Sequence, residues 1–339
     1  MKKEIDISFS LYSEDGDCFI KCLQEVYFYY KLPLTTSKIM GIINTLDLVY
    51  DSNELNQGLI YIDENMKNLD NLPIKVNEVV FEDVERGLQF IKNELLNNRP
   101  VILSVNTYYL HYTDDYLKNS GGYFKTGHSI IVYGFDDIDC SFLVCDPTLN
   151  IARVSVSFED MKLAWTYKKD ANKFRPLCAY IFIENVELNL KKFLHQKLRE
   201  NLMKYFVEMD CSERSSLNNI AGFNMWLKDF ERVTLSEDIS ILHKEILENI
   251  AYSIFHEIRW SRKSFSLFLK SEEFADINKI DEYVNKFLNF FDRYTYAHNI
   301  LVAGIYSNNL VRIKNAYNEV INIINDEINC INNLLNDLN

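Results

Sequence analysis

Proline and glycine are scarce in this chain, and both are nearly missing from its second half. All five prolines of the 339 residues lie at or before Pro176, and eight of the ten glycines lie before residue 135. Because both residue types interrupt helices, their absence beyond this point favours uninterrupted helices there. The chain is also long for one core. The sequence therefore predicts two domains, a mixed α/β domain over residues 1–185 and a helical domain over residues 186–339.

Three further absences narrow the class of protein. No stretch approaches the roughly 18 apolar residues of a membrane span, and no apolar run near the N-terminus is typical of a signal peptide. The net charge of −13 argues against nucleic-acid binding, which needs a basic surface. Seven cysteines without the spacing of a small disulfide framework fit a reducing compartment. We therefore expect a cytoplasmic protein that binds neither membrane nor nucleic acid.

The first domain contains patterns typical of one helix followed by an antiparallel sheet. Apolar residues from Phe19 to Tyr30 recur at helical spacing after Asp17-Cys18 and stop before Pro33. Further helices are predicted across residues 83–97 and from Phe158 onward. Strands are predicted at residues 101–105, 128–135, 141–145, 154–156 and 178–182.

Three residues of this domain have the chemistry of a cysteine nucleophile and its partners. Cys18 lies where the first helix should begin, and a helix N-terminus favours a thiolate and offers backbone N–H groups to an oxyanion. His128 opens a strand after Gly127, and Asp146 closes the next strand, so antiparallel pairing can bring these two side chains together. We predict Cys18 as nucleophile, His128 as its base and Asp146 as the group that orients the base.

Each of these residues also has an ordinary structural interpretation. A single cysteine is more often a small buried hydrophobic residue, and the other six cysteines are interpreted in that way. Cys22 lies one turn after Cys18, but no second Cys/His pair has zinc spacing, so no metal site is predicted. The order of a cysteine on a helix, a histidine on a strand and an aspartate at a strand end favours catalysis over these alternatives.

The residues around the predicted triad resemble a known family. The runs that carry the resemblance are Asp17-Cys18-Phe19, Lys38–Gly41, Val105–Leu110, Gly127–Asp137 and Val144–Pro147. They resemble papain-like peptidases of the C39 type and, more closely, the butirosin biosynthesis protein H family, a non-proteolytic branch of that fold. Ala221–Asn224 and Arg259–Leu269 extend the likeness into the second half.

The resemblance implies an α+β fold: a papain-like domain with an antiparallel sheet, followed by an all-helical domain. It also implies an amide-forming acyltransferase of secondary-metabolite biosynthesis. An acyl or peptidyl group would pass from the phosphopantetheine thioester of a carrier protein through Cys18 to a small amine, for which a diamine is one candidate. The enzyme would need no cofactor of its own. A cysteine peptidase, isopeptidase or thioesterase with the same triad is the alternative, and an inactive scaffold is a third.

One departure from the C39 pattern concerns the oxyanion hole. These peptidases have a glutamine shortly before the cysteine, where this chain has Tyr12. A tyrosine hydroxyl can donate a hydrogen bond, so Tyr12 and the Cys18 backbone N–H are the predicted oxyanion donors. The missing glutamine weakens the peptidase interpretation more than acyl transfer, because a thioester is already activated.

Other residues are candidates for binding the substrates. Tyr108 and Tyr109 belong to a tyrosine-rich loop that would cover the site, although ordinary packing explains them equally well. Asp114 and Asp115 in the same loop could attract a cationic amine, and an exposed acidic turn is the commoner explanation.

Two basic segments of the second half are candidates for docking an acidic carrier protein. The residues predicted to dock it are Arg259, Arg262 and Lys263, and residues 191–204 form the other basic segment. Such charged helix faces are usually just solvated. The apolar, proline-free half could also form a homodimer interface.

Overall fold

The computed structural model describes most of the chain and groups it into two compact units. The described residues are 1–11, 17–43, 46, 48–51, 57–62, 71–81, 83–117, 126–166, 177–183, 188–206, 216–236 and 239–338. The first unit comprises Met1–Ile39 and Leu69–Glu187, and the second comprises Met40–Asn68 and Leu188–Asn339. An early stretch of the chain is therefore part of the second unit. The division into domains at residues 1–185 and 186–339 stays a prediction.

The described residues form helices and strands in the following order. The elements are β1 (Lys2–Glu4), α1 (Cys18–Tyr29), α2 (Thr36–Ile42), β2 (Leu48–Asp51), β3 (Ile60–Ile62), β4 (Lys75–Phe81), α3 (Val84–Leu96), β5 (Val101–Asn106), β6 (Thr126–Asp136), β7 (Ser141–Asp146), β8 (Ile151–Ser157), α4 (Phe158–Thr166), β9 (Leu177–Ile183), α5 (Leu190–Phe206), β10 (Ser216–Asn218), α6 (Asn219–Thr234), α7 (Ile241–Tyr252), α8 (Arg259–Leu269), α9 (Ile280–Tyr306) and α10 (Leu310–Asp337). A π-helical segment, Ser253–Ile258, joins α7 to α8.

The first unit is organised by one antiparallel sheet. Within the described residues its strand order is β4-β9-β5-β6-β7-β8, and β1 adds to β6. The central strand β6 pairs with β5 through Val105 opposite His128, and with β7 through Ile131 opposite Cys145. The beginning of β6 and the end of β7 therefore lie at the same end of the sheet.

The core of the first unit lies between this sheet and helices α3 and α4. Leu88, Ile91 and Leu95 form the buried face of α3, as the helical spacing predicted. Alternate residues of β5, Val101, Leu103 and Val105, pack into the same core, together with side chains of β6, β7, β8 and α4. The mixed helix and antiparallel sheet confirm the predicted α+β class.

The second unit is mainly helical, but it also contains a small sheet. The three strands have the order β10-β2-β3, so the expectation of an all-helical second half is wrong for Ser216–Asn218. The segment before β3 is held by α6, because Trp226 Nε1 donates to Gly58 O at 2.8 Å and Gly58 N donates to Asp229 Oδ2 at 3.0 Å. Gly58 has a φ of +84°, a conformation that favours glycine.

A buried ion pair lies inside the helical part of this unit and corrects one docking residue. Arg262 and Glu327 are both 0% exposed; Arg262 Nε donates to Glu327 Oε2 at 2.9 Å, and Tyr205 Oη donates to Glu327 Oε1 at 2.9 Å. A side chain that is fully buried in this way cannot contact a partner protein. The prediction that Arg262 docks a carrier protein is therefore wrong.

None of the helices in the described residues combines the length and the apolar character that crossing a bilayer requires.

Candidate active site

Cys18 is the first residue of α1, and its position follows from the residue before it. Asp17 is the N-cap, with extended backbone angles, and its Oδ1 accepts a hydrogen bond from Ile20 N at 2.8 Å. The rest of the helix packs into the core through buried residues such as Leu23 and Tyr27. The Cys18 side chain is half-buried at the end where helical N–H groups have no partners in the helix ladder.

His128 and Asp146 meet at the end of the sheet that β6 and β7 share. His128 Nε2 lies 2.6 Å from Asp146 Oδ2, and their side chains are 12% and 0% exposed. Helix α1 packs against β6 and against the 3₁₀ turn Pro147–Leu149 that follows Asp146. This packing brings Cys18 to His128, and the two side chains form a hydrogen bond.

Asp146 accepts hydrogen bonds at both carboxylate oxygens. Its Oδ1 accepts from Thr148 N at 3.1 Å and from Leu149 N at 3.3 Å, which caps the 3₁₀ turn. Its Oδ2 accepts from His128 and also from Tyr112 Oη at 3.4 Å. These donors fix the orientation of the carboxylate, which in turn fixes the imidazole ring.

The surroundings of His128 favour its protonated form. Burial acts against the charge, but the hydrogen bonds and charges of Asp146 and Cys18 outweigh it and raise the pKa of His128 to about 9. Because Asp146 bonds to Nε2, the other ring nitrogen, Nδ1, is the one that faces the thiol. An imidazolium beside a cysteine stabilises the thiolate, which is the nucleophilic form.

The other cysteines of the described residues differ from Cys18 in their surroundings. Burial raises the pKa of Cys22 well above its usual value and raises that of Cys145, so both are expected to be unreactive. Cys330 is also buried. Cys140 is exposed, so the interpretation of that residue as a buried hydrophobic residue is wrong.

The candidate substrate residues follow β5 in the first unit. Tyr108 and Tyr109 form a 3₁₀ turn with Thr107, and their rings pack edge to face with centroids 4.9 Å apart. Asp115 Oδ2 accepts from Thr107 Oγ1 at 3.1 Å, so it contributes to the structure of the loop. Asp114 is exposed. Their proposed contacts with substrate stay predictions.

Two further predictions fall elsewhere in the chain. Tyr12, the predicted oxyanion donor, lies outside the described residues. Arg259 and Lys263, predicted for carrier docking, belong to α8 of the second unit. Tyr112 is the contact residue of Asp146 that the sequence did not single out, because nothing distinguishes it from its neighbours in the tyrosine-rich loop.

A known protein family resembles the part of the chain that contains Cys18, His128 and Asp146. Residues 17–147 match the family model described as butirosin biosynthesis protein H, N-terminal. The matched segment begins directly before Cys18, includes His128, and ends directly after Asp146. A search of the curated proteins finds no match to the chain.

The fold and the site define a mixed α/β protein with a cysteine, a histidine and an aspartate at one end of an antiparallel sheet. The match over residues 17–147 confirms the resemblance to the butirosin biosynthesis protein H family that was stated from the sequence. The likeness noted at Ala221–Asn224 and Arg259–Leu269 lies beyond the matched segment and stays a prediction.

Proposed function

We propose that this protein is a biosynthetic acyltransferase that uses Cys18 as its nucleophile in a papain-like domain. The observation that carries the proposal is the 2.6 Å contact between His128 Nε2 and Asp146 Oδ2, with Cys18 hydrogen-bonded to the same imidazole at the start of α1. The family match supports a biosynthetic role. In this proposal Cys18 is the nucleophile, His128 transfers protons, and Asp146 orients the ring.

The first half-reaction forms an acyl-enzyme. The Cys18 thiolate attacks the carbonyl carbon of a thioester carried on the phosphopantetheine of a carrier protein. The tetrahedral intermediate collapses, the bond from carbon to the pantetheine sulfur breaks, and the His128 imidazolium protonates that sulfur. The backbone N–H of Cys18 is the proposed donor to the oxyanion, and the role of Tyr12 stays a prediction.

The second half-reaction forms an amide. A small amine, for which a diamine is one candidate, attacks the acyl carbon on Cys18. His128, now neutral, accepts the proton that the amine loses, and the bond from carbon to the Cys18 sulfur breaks. The product is an amide, and the site returns to the thiolate and imidazolium without any cofactor.

The choice between amide formation and hydrolysis depends on access of water to the acyl-enzyme. Tyr108 and Tyr109 are the proposed cover over the site, and Asp114 and Asp115 are the proposed attraction for a cationic amine. For the carrier protein, Lys263 remains a proposed docking residue, and Arg259 is proposed to contribute its charge rather than a contact, because it is only 8% exposed. A homodimer and a cytoplasmic location also remain predictions.

Intact-protein mass spectrometry with an acyl-carrier protein as donor tests the proposal. We expect a mass increase equal to one acyl group on the native chain and none on Cys18→Ala. Cys140→Ala is the matched control, because Cys140 is an exposed thiol of the same unit outside the site, and this variant should acylate normally. No adduct from any acyl-pantetheine donor would contradict acyl transfer.

The fate of the adduct separates the alternatives. Adding a diamine should remove the acyl group from Cys18 and yield an amide. Rapid loss of the acyl group in buffer without amine would instead indicate a thioesterase. Cleavage of peptide substrates would indicate a peptidase or isopeptidase that uses the same three residues.

A further inference from the structure

A group of cationic and aromatic side chains lies on the second unit, where the π-helical segment Ser253–Ile258 leads into α8 and packs against α9. Phe255 is at its centre: the Arg259 guanidinium lies 3.5 Å from its ring centroid, the His298 ring 4.7 Å and the His256 ring 4.9 Å. Lys263 Nζ, one turn along α8, lies 4.7 Å from the Trp260 ring. Single π-helical turns inside α-helices are frequent at functional sites.

Arg259 is nearly buried and has neutral hydrogen-bond partners. It is 8% exposed; its Nε donates to Phe255 O at 2.8 Å and its Nη1 to Thr295 Oγ1 at 3.3 Å. No ion pair joins Arg259 to a carboxylate of the described residues. Burial alone lowers its pKa. A charge this far from water costs free energy unless an opposite charge compensates for it.

Another arginine on the same helix shows how the charge of a buried arginine is usually compensated. Arg262 is fully buried, and its charge is neutralised by Glu327. Two further nitrogen bases, His256 and His298, lie against the same Phe255 ring as Arg259. Burial lowers the pKa of His298, and the charges of Arg259 and His256 lower it further, against the hydrogen bond to Asn299, which raises it.

We infer that Arg259, Lys263, His256 and His298 form a binding site for the phosphate group of a ligand. A phosphate group can accept hydrogen bonds from a guanidinium and an ammonium at once and would offset the buried positive charge of Arg259, whether it is a monoester or the diester of a carrier-protein arm. The rings of Phe255 and Trp260 would pack against the part of the ligand next to the phosphate. This phosphate site would exist whether or not Cys18 is a nucleophile.

Two sources could supply this phosphate, a free phosphorylated metabolite or the phosphopantetheine arm of a carrier protein. Isothermal titration calorimetry with the full chain at fixed ionic strength distinguishes them. The titrants are inorganic phosphate, 4′-phosphopantetheine and pantetheine without phosphate. Inorganic phosphate should bind saturably and pantetheine should not. Phosphopantetheine binding at least about tenfold tighter than inorganic phosphate would indicate the arm, and equal affinities would indicate a free metabolite.

Substitutions then test the assigned residues. Arg259→Gln should weaken phosphate binding by about tenfold or more, because a charge-assisted hydrogen bond is lost. Lys263→Gln and His256→Gln lie nearer the surface, should each weaken binding several-fold, and carry the test if Arg259→Gln fails to fold by circular dichroism. Arg312→Gln is the matched control, an exposed arginine on α10 that should bind as the native chain does.

Two results would overturn the inference. The first is that the native chain shows no saturable binding of inorganic phosphate. The second is that phosphate affinity is unchanged in the folded variants Arg259→Gln, Lys263→Gln and His256→Gln. Cys18→Ala should bind phosphate normally whatever happens to its acylation, so failure of this site and failure of the proposed function are distinguishable.

Discussion

At the scale of single residues, the orientation of Asp146 depends on four donors that surround one buried carboxylate. Two backbone N–H groups hold Oδ1, and His128 and Tyr112 share Oδ2. Of these, Tyr112 is the one that can be altered without disturbing the backbone or the proposed base. The hydroxyl competes with His128 for the same oxygen, so it affects both the position and the proton affinity of the imidazole.

Replacing Tyr112 by phenylalanine tests this role as a positioning residue. The variant keeps the ring but removes one donor from Asp146, so the carboxylate becomes a stronger acceptor for His128. We expect a higher pKa of His128 in an NMR titration, and acylation of Cys18 slowed by about three- to tenfold. Tyr116→Phe, in the same loop, is the control and should leave both values unchanged. A pKa of His128 that does not move would contradict the role.

The raised pKa of His128 should also appear in the stability of the fold. The folded state holds this proton up to about pH 9, whereas the unfolded state releases it near the usual histidine value, about 6.5. In Cys18→Ser, where no thiolate forms and His128 alone sets the proton count of the site, the folded state binds more protons between the two pKa values, so the free energy of unfolding falls as pH rises, with a slope approaching about 1.4 kcal/mol per pH unit. Urea denaturation of this variant from pH 6 to 10 measures the slope, and adding His128→Gln should remove it. Equal slopes in both proteins would argue against the imidazolium.

The sequence predicted Cys18, His128 and Asp146 as neighbours because each is tied to a local pattern, a helix start, a strand start and a strand end. Tyr112 carries no such pattern, and its contact with Asp146 joins residues that are distant in the chain. The pairing of Arg262 with Glu327 was missed for the same reason. Contacts of this kind depend on the packing of whole elements.

At the scale of elements, α1 begins where it does because of Asp17. Its carboxylate caps the helix through Ile20 N, and Asp83 caps α3 in the same way through Arg86 N at 3.0 Å. The two caps are chemically alike, but only Asp17 adjoins the proposed nucleophile. They therefore form a matched pair for an experiment.

Asp17→Ala and Asp83→Ala should each lower the free energy of unfolding by about 1 kcal/mol through the lost cap. Asp17→Ala alone should also slow acylation of Cys18, because fraying of α1 moves the sulfur away from His128. Chemical denaturation and the rate of adduct formation are the two measurements. Equal acylation rates in the two variants would show that the position of Cys18 does not depend on the cap.

The elements predicted from the sequence were the ones with a strong period or clear punctuation. Strands β5, β6, β7, β8 and β9 and helices α1, α3 and α4 are confirmed within a few residues. The missed elements include β1 and β3, which are three residues long and too short for a pattern. Strand β4 was also missed; its place in the sheet depends on pairing with the distant β9.

At the scale of the whole molecule, the second unit contains residues from two separate stretches of the chain. Trp226 Nε1 of α6 donates a hydrogen bond to Gly58 O, and Ser253 Oγ of the π-helical segment accepts one from Ile60 N. The concentration of proline and glycine in the first part predicted one boundary near residue 185. It could not predict that residues 40–68 belong with the helices, because that depends on long-range pairing.

A fragment of residues 186–339 should therefore not fold cooperatively, since β10 would lack β2 and Trp226 would lose its acceptor. A second fragment, in which residues 40–68 are joined to 188–339 by a flexible linker, should recover a sigmoidal thermal transition. Circular dichroism on heating measures both. If the shorter fragment melts cooperatively at the temperature of the longer one, the early segment contributes little to the fold.

The divided origin of the second unit has a consequence for how the protein is made. During synthesis, residues 40–68 leave the ribosome before the helices they pair with, and all of Leu69–Glu187 must be translated first. At roughly 5–20 residues per second, this interval lasts many seconds. Throughout it, β2 and β3 lack both β10 and their contacts with α6. The newborn chain therefore carries an unfinished sheet, and this is the period in which chaperones would matter most for its yield.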